Sequence, residues 1–253
     1  MKLPHQVMPK FKNINYIHFN TVDSTNTWAK QNAQCLDPSK ITCITADEQT
    51  AGRGRFFRKW ISPKGQNIYA TLYFCKPTPC MYVANLAQIL SLSCCSVLQE
   101  KGFFPEIKWP NDLLLQEKKV AGILCETMQL DDLTAIILGF GINVNMSEEL
   151  LNSIDQPATS LAQISGHNWN IEEVLKLILT QFTIDLELLE LNGFSFFKER
   201  YEDLLAFRGQ EISWNDGITT RKGLCHSITS DGRLNLLLAN GEMLSLSSGE
   251  LKT

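Results

Sequence analysis

Apolar residues recur along the chain with two periods, which predict strands and helices. Over residues 68–75 they alternate with more polar residues, the period-two pattern of a strand. Between 83 and 98 they recur at helical spacing. A second long helix is predicted over 170–193, where Asn170 and Glu173 suit a capping box. Strands and helices of this kind, mixed along one chain, indicate an α+β domain.

Shorter apolar runs add further elements to this domain. A helix is predicted from Ser24, a good N-cap residue, toward Ala33. The polar residues 116–119 separate two apolar runs and predict a hairpin. Strands are predicted over 15–19, 41–46, 106–109, 113–115, 120–126 and 133–145.

The pattern changes after Arg208, where short strand-like runs are separated by turn residues. The turns are Asn215-Asp216-Gly217, Ser230-Asp231-Gly232 and Ala239-Asn240-Gly241. Asp-Gly and Asn-Gly pairs are hairpin signals. We therefore predict two domains, an α+β domain over 1–206 and a small all-β barrel over 207–253.

Composition and charge narrow the class of protein. The 253 residues are 44% hydrophobic and 20% charged, as in an ordinary globular protein, and the net charge of −4 argues against nucleic-acid binding. Residues 1–10 lack a signal peptide and no run approaches a membrane span, so we expect a cytoplasmic protein without membrane contact. The eight cysteines form no C-x-x-C pair, which favours buried thiols over metal binding or disulfides.

Candidate chemistry begins in the loop 52–60, which places four cationic side chains within seven residues. Glycines let backbone approach a ligand, and arginines beside backbone N–H groups suit carboxylate or phosphate. A solvated basic turn is the alternative. The loop is not a Walker A motif, since no Gly-Lys-Ser/Thr follows, and Phe57 stands where a dinucleotide fingerprint has its third glycine.

Three more clusters indicate a functional site, although each of them alone is a weak signal. Lys108 and Asp112 flank a strand end and could bind phosphate and magnesium, or form only a surface ion pair. Lys119 enters an apolar strand shortly before Gly122. Glycines at 139 and 141 indicate close backbone approach, or only a packing bulge.

Taken in this order, the clusters resemble the biotin protein ligase family, also called biotin–acetyl-CoA-carboxylase ligases. Asp23-Ser24-Thr25-Asn26 and Gln49 belong to the resemblance, which has distinct motifs from Tyr16 to Asn145. After Asn145 the resemblance has no distinct motif. It consists of a helical stretch followed by a small barrel that ends in Ser248-Gly249-Glu250. It implies a central mixed β-sheet flanked by helices, followed by a small SH3-like β-barrel.

The resemblance also implies an activity and its residues. Biotin and ATP would form biotinyl-5′-AMP with Mg²⁺, and biotin would pass to a lysine of the biotin carboxyl carrier protein of acetyl-CoA carboxylase or a related carboxylase. The implied catalytic residues are Arg53, Arg55, Lys108, Asp112 and Lys119. Those implied for biotin are Ser24, Thr25, Asn26, Gln49, Arg53, Gly54, Arg55, Lys119, Gly122, Gly139 and Gly141. Those implied for ATP are Arg55, Trp60, Lys108, Asn111 and Asn143.

Two other activities stay open at this point. One is lipoyl or octanoyl transfer on a related fold, although the basic loop together with 108–112 favours biotin. The other is a biotin sensor or DNA-binding repressor. Because the motifs begin at Asp23, we expect a short form without a helix-turn-helix domain. Phe57 replaces a glycine that is usual in the family loop, so the dynamics of this loop are in question. The sequence also leaves open whether the protein is a homodimer.

Overall fold

The computed structural model describes residues 14–252, apart from the side chain of Phe57. The prediction that residues 1–10 hold no signal peptide lies outside the described residues. The strands are β1 Asn15–Val22, β2 Thr42–Gln49, β3 Ile68–Pro77, β4 Pro105–Lys108, β5 Asp112–Leu115, β6 Lys118–Leu130, β7 Leu133–Ile142, β8 Glu211–Asn215, β9 Thr220–Ile228, β10 Leu234–Leu237, β11 Met243–Leu246 and β12 Glu250–Lys252. The helices are α1 Thr25–Gln31, α2 Leu86–Glu100, α3 Glu148–Asn152, α4 Leu161–Ser165, α5 Ile171–Asn192 and α6 Lys198–Asp203.

The first seven strands form one sheet in the order β1-β2-β3-β7-β6-β5-β4. β1 runs parallel to β2, and every other neighbouring pair is antiparallel. The sheet is therefore mixed, as predicted. Its hydrogen-bond register pairs Thr71 of β3 with Gly139 of β7, which in turn lies opposite Leu124 of β6.

Period-two alternation gives the sheet two different faces. Ile68, Ala70, Leu72 and Phe74 of β3 enter the main core, which also contains the apolar stripes of α2 and α5. Tyr73, on the alternate side, joins a second cluster with Ala29 of α1. Successive strand residues point to opposite faces. Gly122, Gly139 and Gly141 therefore lie on the face of α1, opposite α2 and α5.

A five-stranded antiparallel sheet with the order β11-β10-β9-β8-β12 follows. Its connections contain Gly217, Gly232 and Gly241, each with positive φ as hairpin turns require. The sheet rests on the first domain through the carbonyl of Gly232, which accepts hydrogen bonds from Gln88 Nε2 at 2.7 Å and Trp109 Nε1 at 3.1 Å. The predicted fold class is confirmed, while the boundary at 206/207 stays a prediction.

Several boundaries differ from the sequence prediction. The hairpin turn contains only Gln116 and Glu117, both with positive φ, so Lys118 and Lys119 begin β6. β7 ends at Ile142 rather than at residue 145. The helices α3, α4 and α6 were not predicted because five or six residues are too few to show helical periodicity. Within residues 14–252, no helix is long and apolar enough to span a membrane.

Candidate active site

A cavity of about 750 Å³ opens on the α1 face of the large sheet. All residues that the resemblance implied as catalytic, biotin-binding or ATP-binding line it: Ser24, Thr25, Asn26, Gln49, Arg53, Gly54, Arg55, Trp60, Lys108, Asn111, Asp112, Lys119, Gly122, Gly139, Gly141 and Asn143. They come from six strands or helices and the loops between them. The individual roles assigned to them stay predictions.

One end of the cavity is a wall of hydroxyl and amide groups. Ser24 caps α1 by accepting from the backbone N–H of Thr27, and this places Thr25 at the start of the helix. Thr25 N–H donates to Gln49 Oε1 at 2.9 Å. Gln49 Nε2 in turn donates to Ser62 Oγ at 3.1 Å. Both ends of the Gln49 amide are thus oriented, and its remaining hydrogen-bond capacity can serve a ligand.

The glycines make room for protein side chains. A Cβ atom at Gly139 would lie 2.0 Å from Asn26 Oδ1, and one at Gly141 would lie 2.4 Å from Trp60 Cε2. A Cβ atom at Gly122 would lie 3.1 Å from Trp60 Cζ3. In the sequence analysis, the family resemblance implied these glycines as biotin-binding residues. In this structure the close approach is made by Asn26 and Trp60.

The basic loop is a small hairpin. Gly54 N–H donates to the carbonyl of Arg58 at 2.7 Å, and Trp60 N–H donates to that of Gly52 at 2.9 Å. Arg53 pairs with Glu126 of β6, with 2.9 Å between Nη2 and Oε2. These contacts tether the loop across the cavity while leaving it on the surface.

Arg55 is the most enclosed cation of this loop. Its Nη1 donates to Asn111 Oδ1 at 3.0 Å and to the carbonyl of Gly249 at 3.2 Å. Burial lowers the pKa of Arg55, and the nearby carboxylate of Asp112 opposes that shift. An arginine stays protonated even so, which makes Arg55 a permanent positive charge facing the cavity.

A second group of charges faces Arg55. Lys108 of β4 lies opposite Asp112 of β5 in the register. Lys119 Nζ is 2.8 Å from Asp112 Oδ2 and lies 5.5 Å from the centre of the Trp60 ring. Burial lowers the pKa of Lys108, Asp112 raises it and Lys119 lowers it further. The carboxylates of Asp112 and Glu250 lie among four cations, Arg55, Arg58, Lys108 and Lys119, which leaves a net positive end that suits an anionic ligand.

Asn143 also lines the cavity. Its side chain is buried, and Nδ2 donates to the carbonyl of Thr159 at 3.0 Å. The backbone around it is held as well, since Leu161 N–H donates to the Asn143 carbonyl at 3.0 Å. Segment 157–159 also flanks Lys119, whose N–H donates to the carbonyl of Pro157.

Several lining residues were missed by the sequence analysis. They are Arg58, Lys59, Ile61, Ala70, Trp109, Pro110, Ile123, Leu124, Phe140, residues 153–158 and residues 249–252. Arg58 and Lys59 belong to the basic loop, so their charge was visible. Residues 249–252 come from the far end of the chain, where Glu250 pairs with Arg58 at 2.6 Å. A sequence search for local clusters has no signal for such contacts.

The surroundings of other titratable groups do not point to further chemistry. His18 lies outside the cavity lining, with Nδ1 3.0 Å from Thr45 Oγ1 and Nε2 3.5 Å from Asp47. Among residues 14–252, no three His, Cys, Asp or Glu side chains gather to hold a metal ion.

The site has an amide- and hydroxyl-lined end, an apolar floor and a cationic end. This arrangement fits a small ligand with one polar ring and one acidic group.

Comparison with known proteins agrees with this geometry. A model of the biotin/lipoate A/B protein ligase family matches residues 18–143. The chain is 32% identical to the bifunctional ligase/repressor BirA of Escherichia coli strain K12, over 91% of this chain and 71% of that protein. It is 30% identical to the biotin–[acetyl-CoA-carboxylase] ligase of Paracoccus denitrificans, over 85% of this chain and 90% of that protein.

Among solved structures, the chain is similar to the biotin protein ligase from Aquifex aeolicus in complex with biotin and ATP. The TM-score is 0.79 and the sequence identity is 32%. The superposition covers 94% of this chain and 97% of that protein. The similarity therefore extends over both sheets.

Proposed function

Since the chain belongs to the biotin protein ligase family, we propose that it activates biotin with ATP and attaches biotin to a lysine of a carrier protein. The family predicted from the sequence motifs is thus confirmed. The observation that carries the proposed activity is one cavity with a hydroxyl- and amide-lined end and a cationic end. Biotin has the complementary shape, because its ureido ring is polar, its bicycle is apolar and its valeryl chain ends in a carboxylate.

In the first step, a biotin carboxylate oxygen attacks the α-phosphorus of ATP. A P–O bond forms, the bond to the β-phosphate breaks, and pyrophosphate leaves. Negative charge concentrates on the phosphoryl oxygens, and cations fixed near them stabilise the transition state. We assign this role to Arg55, Lys108 and Lys119. The hydrogen bond from Arg55 to Asn111 and the ion pair between Lys119 and Asp112 support the assignment.

In the second step, the neutral amine of the acceptor lysine attacks the acyl carbon of biotinyl-5′-AMP. An amide forms, AMP leaves, and the amine loses a proton. Asp112 is our candidate to orient the amine or to accept that proton, since its carboxylate lines the cavity and its Oδ2 lies 2.8 Å from Lys119 Nζ. Trp60 and Asn143, which both line the cavity, are proposed to hold the adenine end.

We also propose that Mg²⁺ accompanies ATP. The ion usually keeps several waters and is bound by one or two carboxylates together with substrate phosphates. Asp112 fits as that carboxylate, and the described residues offer no richer set of ligands. When bound, the ion offsets charge on the phosphates.

For the partner, we propose a biotin carboxyl carrier protein, because a relative is named a biotin–[acetyl-CoA-carboxylase] ligase. We propose no nucleic-acid partner, in view of the net charge of −4, and no membrane partner. A cytoplasmic location is proposed because the reaction consumes ATP.

The test is biotin-dependent exchange of labelled pyrophosphate into ATP by the purified protein. Exchange without a carrier is expected, and Arg55→Ala should reduce it. Arg221→Ala is the matched control, because Arg221 is an exposed cation of β9 outside the cavity. Biotin binding without exchange would instead indicate a sensor, and exchange driven by lipoate alone would indicate a lipoate ligase.

A further inference from the structure

Thr71 lies behind the candidate site and reaches it only through other side chains. It belongs to β3, is fully buried and does not line the cavity. Its Oγ1 lies 2.6 Å from Asn26 Oδ1 and 2.8 Å from Thr25 Oγ1. Both of those residues do line the cavity.

The amide of Asn26 has one possible orientation. Its Nδ2 donates to the carbonyl of Leu124 at 3.3 Å and to Glu126 Oε2 at 3.1 Å, and both partners can only accept. Asn26 Oδ1 must therefore face Thr71, and it too can only accept. The single proton of the Thr71 hydroxyl is then committed to Asn26.

This commitment decides what Thr25 presents to a ligand. The Thr25 hydroxyl lies 2.8 Å from Thr71 Oγ1 and 3.2 Å from Gln49 Oε1. Since the Thr71 hydroxyl donates its proton to Asn26 Oδ1, the Thr25 hydroxyl donates its own proton either to Thr71 Oγ1 or to Gln49 Oε1. A hydroxyl has one donor and two acceptor sites. Toward the cavity, the Thr25 oxygen can therefore only accept a hydrogen bond, and an N–H group of a ligand can donate it.

We propose that Thr71 is a positioning residue that, together with Gln49, holds Thr25 as a hydrogen-bond acceptor toward a ring N–H of the substrate. This inference rests on the proposed function, because it takes that ring to be the ureido ring of biotin. Gly139 supports it, since a Cβ there would lie 2.0 Å from Asn26 Oδ1 and displace the amide that accepts the Thr71 proton.

The chain offers a matched control for removing this hydroxyl. Thr42 lies on the neighbouring strand β2, is also buried, and has an Oγ1 that finds no hydrogen-bond partner among the residues described. Thr71→Val and Thr42→Val each replace a buried hydroxyl by a methyl group of similar size. Thr71→Ser keeps the hydroxyl and removes the methyl group.

The experiment measures pyrophosphate exchange at varied biotin and varied ATP for these three variants and the wild type. In Thr71→Val, the Thr25 hydroxyl loses its shorter contact, at 2.8 Å, and keeps only Gln49 Oε1, at 3.2 Å, so its orientation toward the ligand is held less firmly. We expect the KM for biotin to rise about tenfold or more, with kcat and the KM for ATP within threefold of the wild type. Thr71→Ser and Thr42→Val should keep the wild-type KM for biotin.

Two results would overturn the inference. One is a KM for biotin in Thr71→Val equal to that in Thr42→Val. The other is a tenfold rise in Thr71→Ser, a result that stays informative even if Thr71→Val does not fold. Wild-type protein without any biotin-dependent exchange would refute the proposed function itself, so the two failures are distinguishable.

Discussion

Lys119 Nζ lies 2.8 Å from Asp112 Oδ2, an ion pair between the first strand of the β5–β6 hairpin and the second. Asp112 also faces Lys108 across the β4–β5 register. Asp112 therefore holds Lys119 in an ion pair and raises the pKa of Lys108, so its removal should change the position of Lys119 and the charge of Lys108.

We predict that Asp112→Asn moves the alkaline limit of the exchange reaction to lower pH. In the role proposed for it, Lys108 binds phosphate only when protonated, so activity is present below its pKa and is lost as the pH rises through it. Burial lowers the pKa of Lys108 and Asp112 opposes that shift, so the variant loses the opposing charge. The measurement is kcat/KM for ATP against pH. Asp155→Asn, which also removes a carboxylate from the lining, should leave the limit in place.

Arg55→Gly should weaken retention of the adenylate more than its synthesis. The mixed anhydride reacts with water and amines, so the loop must cover it. Losing one or two charge-assisted hydrogen bonds costs roughly 1.5–3 kcal/mol each, or about one to two decades in escape rate. Labelling of a bystander protein with biotin measures the escape. Labelling at the wild-type level, with adenylate still formed, would show that Arg55 is not a gate.

Selectivity should exclude lipoate. Its dithiolane ring leaves the hydrogen-bonding groups of Ser24, Thr25 and Gln49 without partners. A site built to bond a substrate N–H or O–H can reject an analogue lacking it by about 10⁴-fold. The measurement is the ratio of kcat/KM for the two acids. Comparable values would contradict the assignment of the polar wall to the ureido ring.

Gly139→Ala should destabilise the protein and weaken biotin binding together. The new Cβ would lie 2.0 Å from Asn26 Oδ1, and overpacking of this kind typically costs about 1–3 kcal/mol. We expect a lower Tm and a higher KM for biotin. Gly54→Ala is the thermal control, because a Cβ there meets its nearest atom at 3.6 Å. Equal Tm values for the two variants would count against the close approach of Asn26.

Thiol reactivity should separate the cysteines by burial. Cys35 is exposed, whereas Cys43, Cys94 and Cys95 are buried. Burial raises the pKa of Cys43 to about 12, which suppresses its reactive thiolate. Alkylation of native protein followed by mass spectrometry should therefore label Cys35 first, and a Cys35→Ser variant should lose this rapid phase. Early labelling of Cys43 would refute the prediction.

Much of the local structure could be read from the sequence. The Asn170 side chain accepts from the N–H of Glu173, the contact that the capping pattern predicted. Gly217, Gly232 and Gly241 mark turns between the short C-terminal strands. Strand alternation also indicated which residues face the core. These features depend on neighbours within a few positions, so a linear pattern contains the information.

The membership of the site could be predicted too, but only through the family resemblance. The motifs named residues, and the structure gathers them around one cavity. The contacts of each side chain could not be predicted in this way. Asn26 and Trp60 fill the space over the glycines. Phe56, at φ 52°, occupies the left-handed region that favours glycine, in a loop whose flexibility the sequence left in question.

Only the tertiary structure decided the partners of the polar groups. Glu126 meets Arg53, the carbonyl of Gly249 meets Arg55, and Thr71 stands behind Thr25. The sequence determined the faces of the strands because partition between core and water depends on the period of apolar residues along one element. Partners across the site depend instead on strand order and on how the second sheet docks. Both are set by packing between segments distant in sequence, which no local pattern records.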